Sequence, residues 1–177
     1  MVTVYVVLFR GVGGATQLPV KPLREKLSAA GFENVATYIN SGNAVVRSRL
    51  ARAGTVASIA AICASEFGFE KPIYAVTATE WDALIASNPF PDAVSIPKLL
   101  HAAWLAAAPD PENVETVRSY AVDGEAIEVI GNVAYLHTPH GFGRSKMAEI
   151  FDKRIGVANT ARNWRTVLAL RDLAAKS

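Results

Sequence analysis

The chain has 177 residues, 51% of them apolar and 19% charged, and a formal net charge of +2. Such a composition supports a packed core and excludes a disordered chain. It holds no apolar run long enough for a transmembrane helix, and its single cysteine excludes an internal disulfide framework or a Cys-rich zinc site.

Residues 3 to 9 are β-branched and aromatic and predict a strand. No basic stretch or small-residue cleavage site marks this segment as a signal peptide, so a cytoplasmic location is the expectation. Val20, Leu23, Leu27 and Ala30 recur at helical spacing, which predicts a helix over 19–30 closed by Gly31. Strands are predicted over 35–39 and 44–47, joined by the tight turn Asn40-Ser41-Gly42-Asn43 with Gly42 free to take a positive φ. Val56, Ile59, Ile62, Cys63 and Phe67 predict a helix over 55–67 ended by Gly68, and 73–77 reads as a last strand. This order, β-α-β-β-α-β, is the ferredoxin-like plait.

A linking helix is predicted over 79–88, with Thr79 and Asp82 as a capping-box-like start. Three prolines in 89–97 mark a connector. The order then repeats without detectable sequence identity. A strand over 99–106 is followed by a helix with Asp110 as N-cap and Pro111 at its first position. A hairpin follows, 126–130 and 133–137 around Gly131-Asn132. Further on come a helix over 145–154 capped by Ser145, a short strand over 157–160, and a final helix over 164–175 capped by Asn163. The expected fold class is α+β with two tandem ferredoxin-like (βαββαβ) subdomains. They divide as 1–78, a linking helix and Pro-rich connector over 79–97, and 98–177.

In a plait of sheet order 4-1-3-2, loops distant in sequence converge. Arg10, Gly13 and Gly14 then lie beside Asn40, Ser41 and Asn43 on one edge. Arg144, Ser145 and Lys146 lie beside Arg162, Asn163 and Trp164 on another. Residues 141–177 carry eight Lys/Arg against three Asp/Glu, whereas residues 1–140 carry ten against thirteen. Two helix N-termini and a local excess of arginine and lysine suit an anion, either a small phosphate-bearing molecule or nucleic acid. The alternative is two ordinary capped helices on a solvated basic face. The glycines of the first edge lack the spacing of a nucleotide-binding fingerprint. Its Asn and Ser residues can bond a ligand or their own turn.

Several chemistries lack their residues. Cys63 falls on an apolar helix face and reads as a core thiol. His101 lies within a strand, and His137 and His140 have no third ligand nearby, so no metal and no cofactor is expected. Paired loop-end carboxylates and a nucleophile elbow are missing. An RNA-stacking sheet is disfavoured because 44–47 carries no aromatic. Strand 3–9 is apolar on both sides, which predicts cover on both faces, by the linking helix or the second half. Trp104 and Tyr135 read as core aromatics rather than a stacking platform. Three functions stay open: an anion-binding protein, a metal-independent enzyme acting on a polar small molecule in the cleft between the subdomains, and a protein–protein module. No membrane partner is expected.

The chain resembles a bacterial family, domain-of-unknown-function family 1697. The resemblance rests on Leu8-Phe9-Arg10-Gly11 followed by Val12-Gly13-Gly14, Gly31-Phe32, residues 35–43, Asn88-Pro89-Phe90, Gly143-Arg144-Ser145-Lys146, and Thr160-Ala161-Arg162-Asn163-Trp164 with Thr166-Val167. It implies two intertwined plait-like subdomains and no activity. The chain departs from the pattern in its first loop, which is two residues shorter between Gly11 and Val12 than the family's Arg-Gly-Ile-Asn-Val-Gly-Gly. It departs again at Asn40, where the family usually has glutamine.

Overall fold

The computed structural model describes residues 1–177. The apolar N-terminal segment forms β1 (Thr3–Phe9), followed by α1 (Val20–Ala29), β2 (Glu33–Thr37), β3 (Asn43–Ser48), α2 (Arg52–Phe67) and β4 (Ile73–Thr77). The four strands form an antiparallel sheet in the order β2-β3-β1-β4. After α3 (Ala78–Ala86), the proline-rich connector winds into two short 3₁₀ turns, Pro91–Ser95 and Pro97–Leu99. A second set follows: β5 (Leu100–Leu105), α4 (Pro111–Arg118), β6 (Ala126–Ile130), β7 (Val133–His137), α5 (Lys146–Arg154), β8 (Asn159–Asn163) and α6 (Trp164–Ala175). Its sheet repeats the first, in the order β6-β7-β5-β8. The molecule is two tandem ferredoxin-like subdomains.

By contact, the chain divides into Met1–Ala83 with Leu168–Ser177, and Leu84–Val167. The division falls inside α3 and inside α6. The first unit's core gathers Tyr5, Val7 and Phe9 of β1 with Leu23 and Leu27 of α1 and Ile59 and Cys63 of α2. The alternate residues of β1, Val6 and Leu8, are also buried, as are Val45 and Val76. The sheet is therefore buried on both faces. The second unit's core joins Ala103, Leu105, Ala134 and Leu136 of the sheet to Val117 of α4 and to Met147 and Phe151 of α5.

Several boundaries differ from the sequence expectation, among them the start of α2 at Arg52 rather than 55, and three of the differences have a local cause. Strand β2 runs over 33–37, not 35–39. It carries an irregularity between Glu33 and Ala36, and Ile39 lies in the left-handed region at φ 47°, which ends the strand and is unusual for a β-branched residue. The capping box of α3 is Thr77 and Glu80 rather than Thr79 and Asp82. The Thr77 hydroxyl accepts from the Glu80 N–H at 3.2 Å, and the Glu80 carboxylate accepts from the Thr77 N–H at 2.9 Å. The helix begins directly off β4, which moves the cap two residues upstream. Strand β8 runs over 159–163, not 157–160, because Gly156 at φ 79° turns the chain before it and pairing with β5 sets its register.

Cys63 is fully buried, and burial pushes its thiol up to about 11. The native protein is expected to resist a thiol reagent at pH 8 and to react fully once unfolded in denaturant. Fast labelling of the native chain would contradict this packing of α2.

Candidate functional site

Strand β5 organises the candidate site. Its first residue, Leu100, pairs with His137 at the end of β7, and the next, His101, pairs with Asn163 at the end of β8. The segments leaving β7 and β8 therefore depart from one end of the sheet. After β7 the chain is tied down by Thr138, whose N–H donates to the Leu99 carbonyl at 2.9 Å. It turns at Gly141, φ 107°, into a short 3₁₀ turn over Phe142–Arg144. The Phe142 ring stacks on His101 with centroids 3.9 Å apart, which fixes the turn against β5.

Ser145 then opens α5. Its hydroxyl accepts from the Ala148 N–H at 3.0 Å as an N-cap. The amide of Ser145 itself bonds Phe142, and that of Glu149 bonds Ser145. The N–H groups of Lys146 and Met147 are left facing the helix entrance, as helix geometry requires of first-turn amides. A cavity of about 310 Å³ lies there, lined by Phe142, Gly143, Arg144, Ser145, Lys146 and Glu149 with Ala148. Arg144 is exposed, and Ser145 is buried. Gly143 has an ordinary φ, and a Cβ on it would meet nothing within 4 Å. Neither backbone strain nor packing requires glycine there, and it lines the cavity without a side chain.

The electrostatics are mixed. Lys146 and Lys153 both pair with the Glu149 carboxylate, at 2.9 and 2.5 Å. Those bonds, Lys153's first, pull the Glu149 carboxyl down to about 2. Of the two basic residues that line the cavity, Lys146 is engaged by Glu149, and Arg144 forms no ion pair. His101 is half-buried, burial lowers it to about 4, and its Nδ1 is buried without a partner.

The other residues singled out in the sequence divide clearly. Arg144, Ser145 and Lys146 line the cavity; Arg162, Asn163 and Trp164 do not. Arg162 folds along its own strand, its Nη1 donating to the Thr160 hydroxyl at 2.7 Å and the Ala161 carbonyl at 2.8 Å. The Asn163 side chain accepts from the Thr166 N–H at 3.0 Å and caps α6. Trp164 is buried. On the first edge, the Phe9 N–H donates to the Gly42 carbonyl at 2.9 Å, which joins the end of β1 to the β2–β3 turn. There the Asn43 amide donates to Tyr38 and Ser41 within its own turn. Gly13 bridges Thr16, and the Gly14 carbonyl accepts from Gln17. Arg10 extends from the end of β1, while Asn40 and Ser41 are exposed at the turn's tip. Sequence reading missed Phe142 and Glu149. The signal for Glu149 was its spacing, three residues after Lys146 and four before Lys153.

Tyr135 is buried, and its hydroxyl donates to the Leu84 carbonyl at 2.6 Å. It is a core residue, while Trp104 is half-buried on β5. No helix is long and apolar enough to cross a membrane.

No curated protein sequence matches the chain. A solved structure, the conserved bacterial protein SP0830 from Streptococcus pneumoniae, superposes with a TM-score of 0.76 over 98% of this chain and 99% of that one. At 20% sequence identity, this likeness speaks for the fold alone. The family model described as Protein of unknown function (DUF1697) matches residues 2–135. That match takes in the whole first plait and runs through the second as far as β7, and the chain belongs to the DUF1697 family.

Proposed function

We propose that the protein binds a small phosphate-bearing ligand in the cavity at the start of α5. The observation that carries this reading is the cavity itself, where an exposed Arg144, the first turn of α5 at Lys146, and a glycine with no structural requirement meet. Free helix N–H groups and the helix dipole favour an anion at that point. Arginine's planar fork supplies two parallel donors to phosphate. Arg162 and Asn163 act one step removed, bracing β8 and the start of α6 rather than reaching the ligand.

Calorimetry with inorganic phosphate and with a 5′-nucleotide tests this. Arg144→Ala is expected to weaken binding on the order of tenfold, the worth of one charge-assisted hydrogen bond. Gly143→Leu, which adds a side chain to the cavity lining, is expected to abolish binding while leaving the circular dichroism unchanged. Repeating the titration with a single-stranded oligonucleotide at two salt concentrations separates the ligand classes. Oligonucleotide binding that falls steeply with salt, with no binding of the small phosphates, would make nucleic acid the ligand instead. Wild-type protein that binds neither class would overturn the reading.

A further inference from the structure

The second unit carries another surface, at the free edge of its sheet and unrelated to the anion cavity. Strand β6 pairs with β7 on one side only. The two-residue loop Gly131-Asn132 joins them, with Gly131 at φ 59°, a primed hairpin turn in which the flanking residues Ile130 and Val133 bond each other. In an antiparallel ladder the bonded pairs alternate. Ile130 and Glu128 therefore spend their backbone groups on β7, whereas Val129 and Ile127 point theirs outward. The Ile127 carbonyl is covered, accepting from Arg118 at 3.2 Å. The N–H and carbonyl of Val129 have no strand partner on that side.

Beside Val129 lies a groove of about 340 Å³ between α4 and β6. Pro109, Pro111, Val114 and Val129 give it an apolar wall, and Glu115 and Glu128 stand at its rim. Residues 110–130 hold six Asp/Glu and one arginine. Arg118 pairs with both Glu115 and Glu128, which leaves the groove lining with one net negative charge.

We propose that this edge docks an extended basic peptide segment of a partner protein. The peptide backbone pairs with Val129. A lysine or arginine lays its methylene stem along the Pro109, Pro111 and Val114 wall and sets its charge against Glu115 or Glu128. Charge decides the occupant. A second copy pairing β6 against β6 would bring two acidic faces together, which is unfavourable. A basic strand is complementary to the same face.

The test uses the full chain and two short peptides, one alternating valine and lysine, the other with glutamate in place of lysine. The lysine peptide is expected to bind and to shift the backbone amide resonances of Val129, Gly131 and Val114. The glutamate peptide is expected to bind at least about tenfold more weakly. Glu115→Gln with Glu128→Gln should weaken the lysine peptide about fivefold, consistent with partly exposed ion pairs. Arg144→Ala should leave peptide affinity unchanged, which keeps this surface separable from the anion cavity. Equal binding of the two peptides, or resonance shifts confined to other elements, overturns the proposal. So does self-association through β6 without peptide binding, seen by sedimentation.

Discussion

Gly42→Ala is expected to destabilise the first unit by about 3 kcal/mol, a large share of the roughly 5–15 kcal/mol that holds a domain folded. Two costs combine. Gly42 sits at φ 80°, where an L side chain costs about 1–2 kcal/mol. A Cβ there would stand 2.7 Å from the Phe9 carbonyl oxygen and 2.8 Å from a Val12 methyl. The first neighbour is backbone of a strand buried on both sides and cannot move away cheaply, so overpacking adds about 1–3 kcal/mol. The same substitution at Gly143 is the internal control. With ordinary φ and open space around it, Gly143→Ala is expected to be neutral or to stabilise by up to about 1 kcal/mol. Urea denaturation of the two variants decides the matter. Equal midpoints would mean that the contact between the β1 loop and the β2–β3 turn is looser than the structure shows.

Gly42 was legible in the sequence as a positive-φ position because Asn-Ser-Gly-Asn between two apolar runs is turn chemistry. Its second role, admitting the Phe9 backbone, depends on a tertiary approach that no local pattern encodes. The strands at 73–77, 126–130 and 133–137 were readable to the residue because apolar patterning and turn glycines agree there. Strand β8 was not, since Asn159-Thr160-Ala161-Arg162-Asn163 has no apolar alternation and is a strand only because β5 pairs with it. The same holds within the candidate site. Ser145 as a cap and Arg144 and Lys146 beside it follow from local signals. That Arg162 turns back to Thr160 and Ala161 is a rotamer choice set by its surroundings. Phe142 stacking on His101 joins residues 41 positions apart.

The stack of His101 on Phe142 leads to the second large effect, a loss of stability in mild acid. Burial holds His101 in its neutral form, lowering it from 6.5 to about 4, and its buried Nδ1 has no hydrogen-bond partner to stabilise a proton there. The unfolded chain, with histidine near its ordinary value, binds the proton more readily than the folded one. Stability from this residue is therefore complete above pH 6.5. It falls as the pH drops through the window from 6.5 to about 4. The loss is about 3 kcal/mol in all, because a tenfold difference in proton affinity between the two states is worth about 1.36 kcal/mol. The lowered Glu80 and Glu149 carboxyls act in the same direction but below their ordinary 4.5, so the upper part of the window belongs to His101. His101→Leu keeps an apolar partner for Phe142 and removes the buried nitrogen. It is expected to flatten the stability profile between pH 6.5 and 5 and to raise the urea midpoint at pH 5. Phe142 also lines the cavity at the start of α5, so the proposed phosphate binding is expected to weaken across this window more steeply in the wild type than in the leucine variant. A wild-type urea midpoint that stays level from pH 6.5 to 5 would show that water reaches the imidazole, and that Phe142 does not depend on its staying neutral.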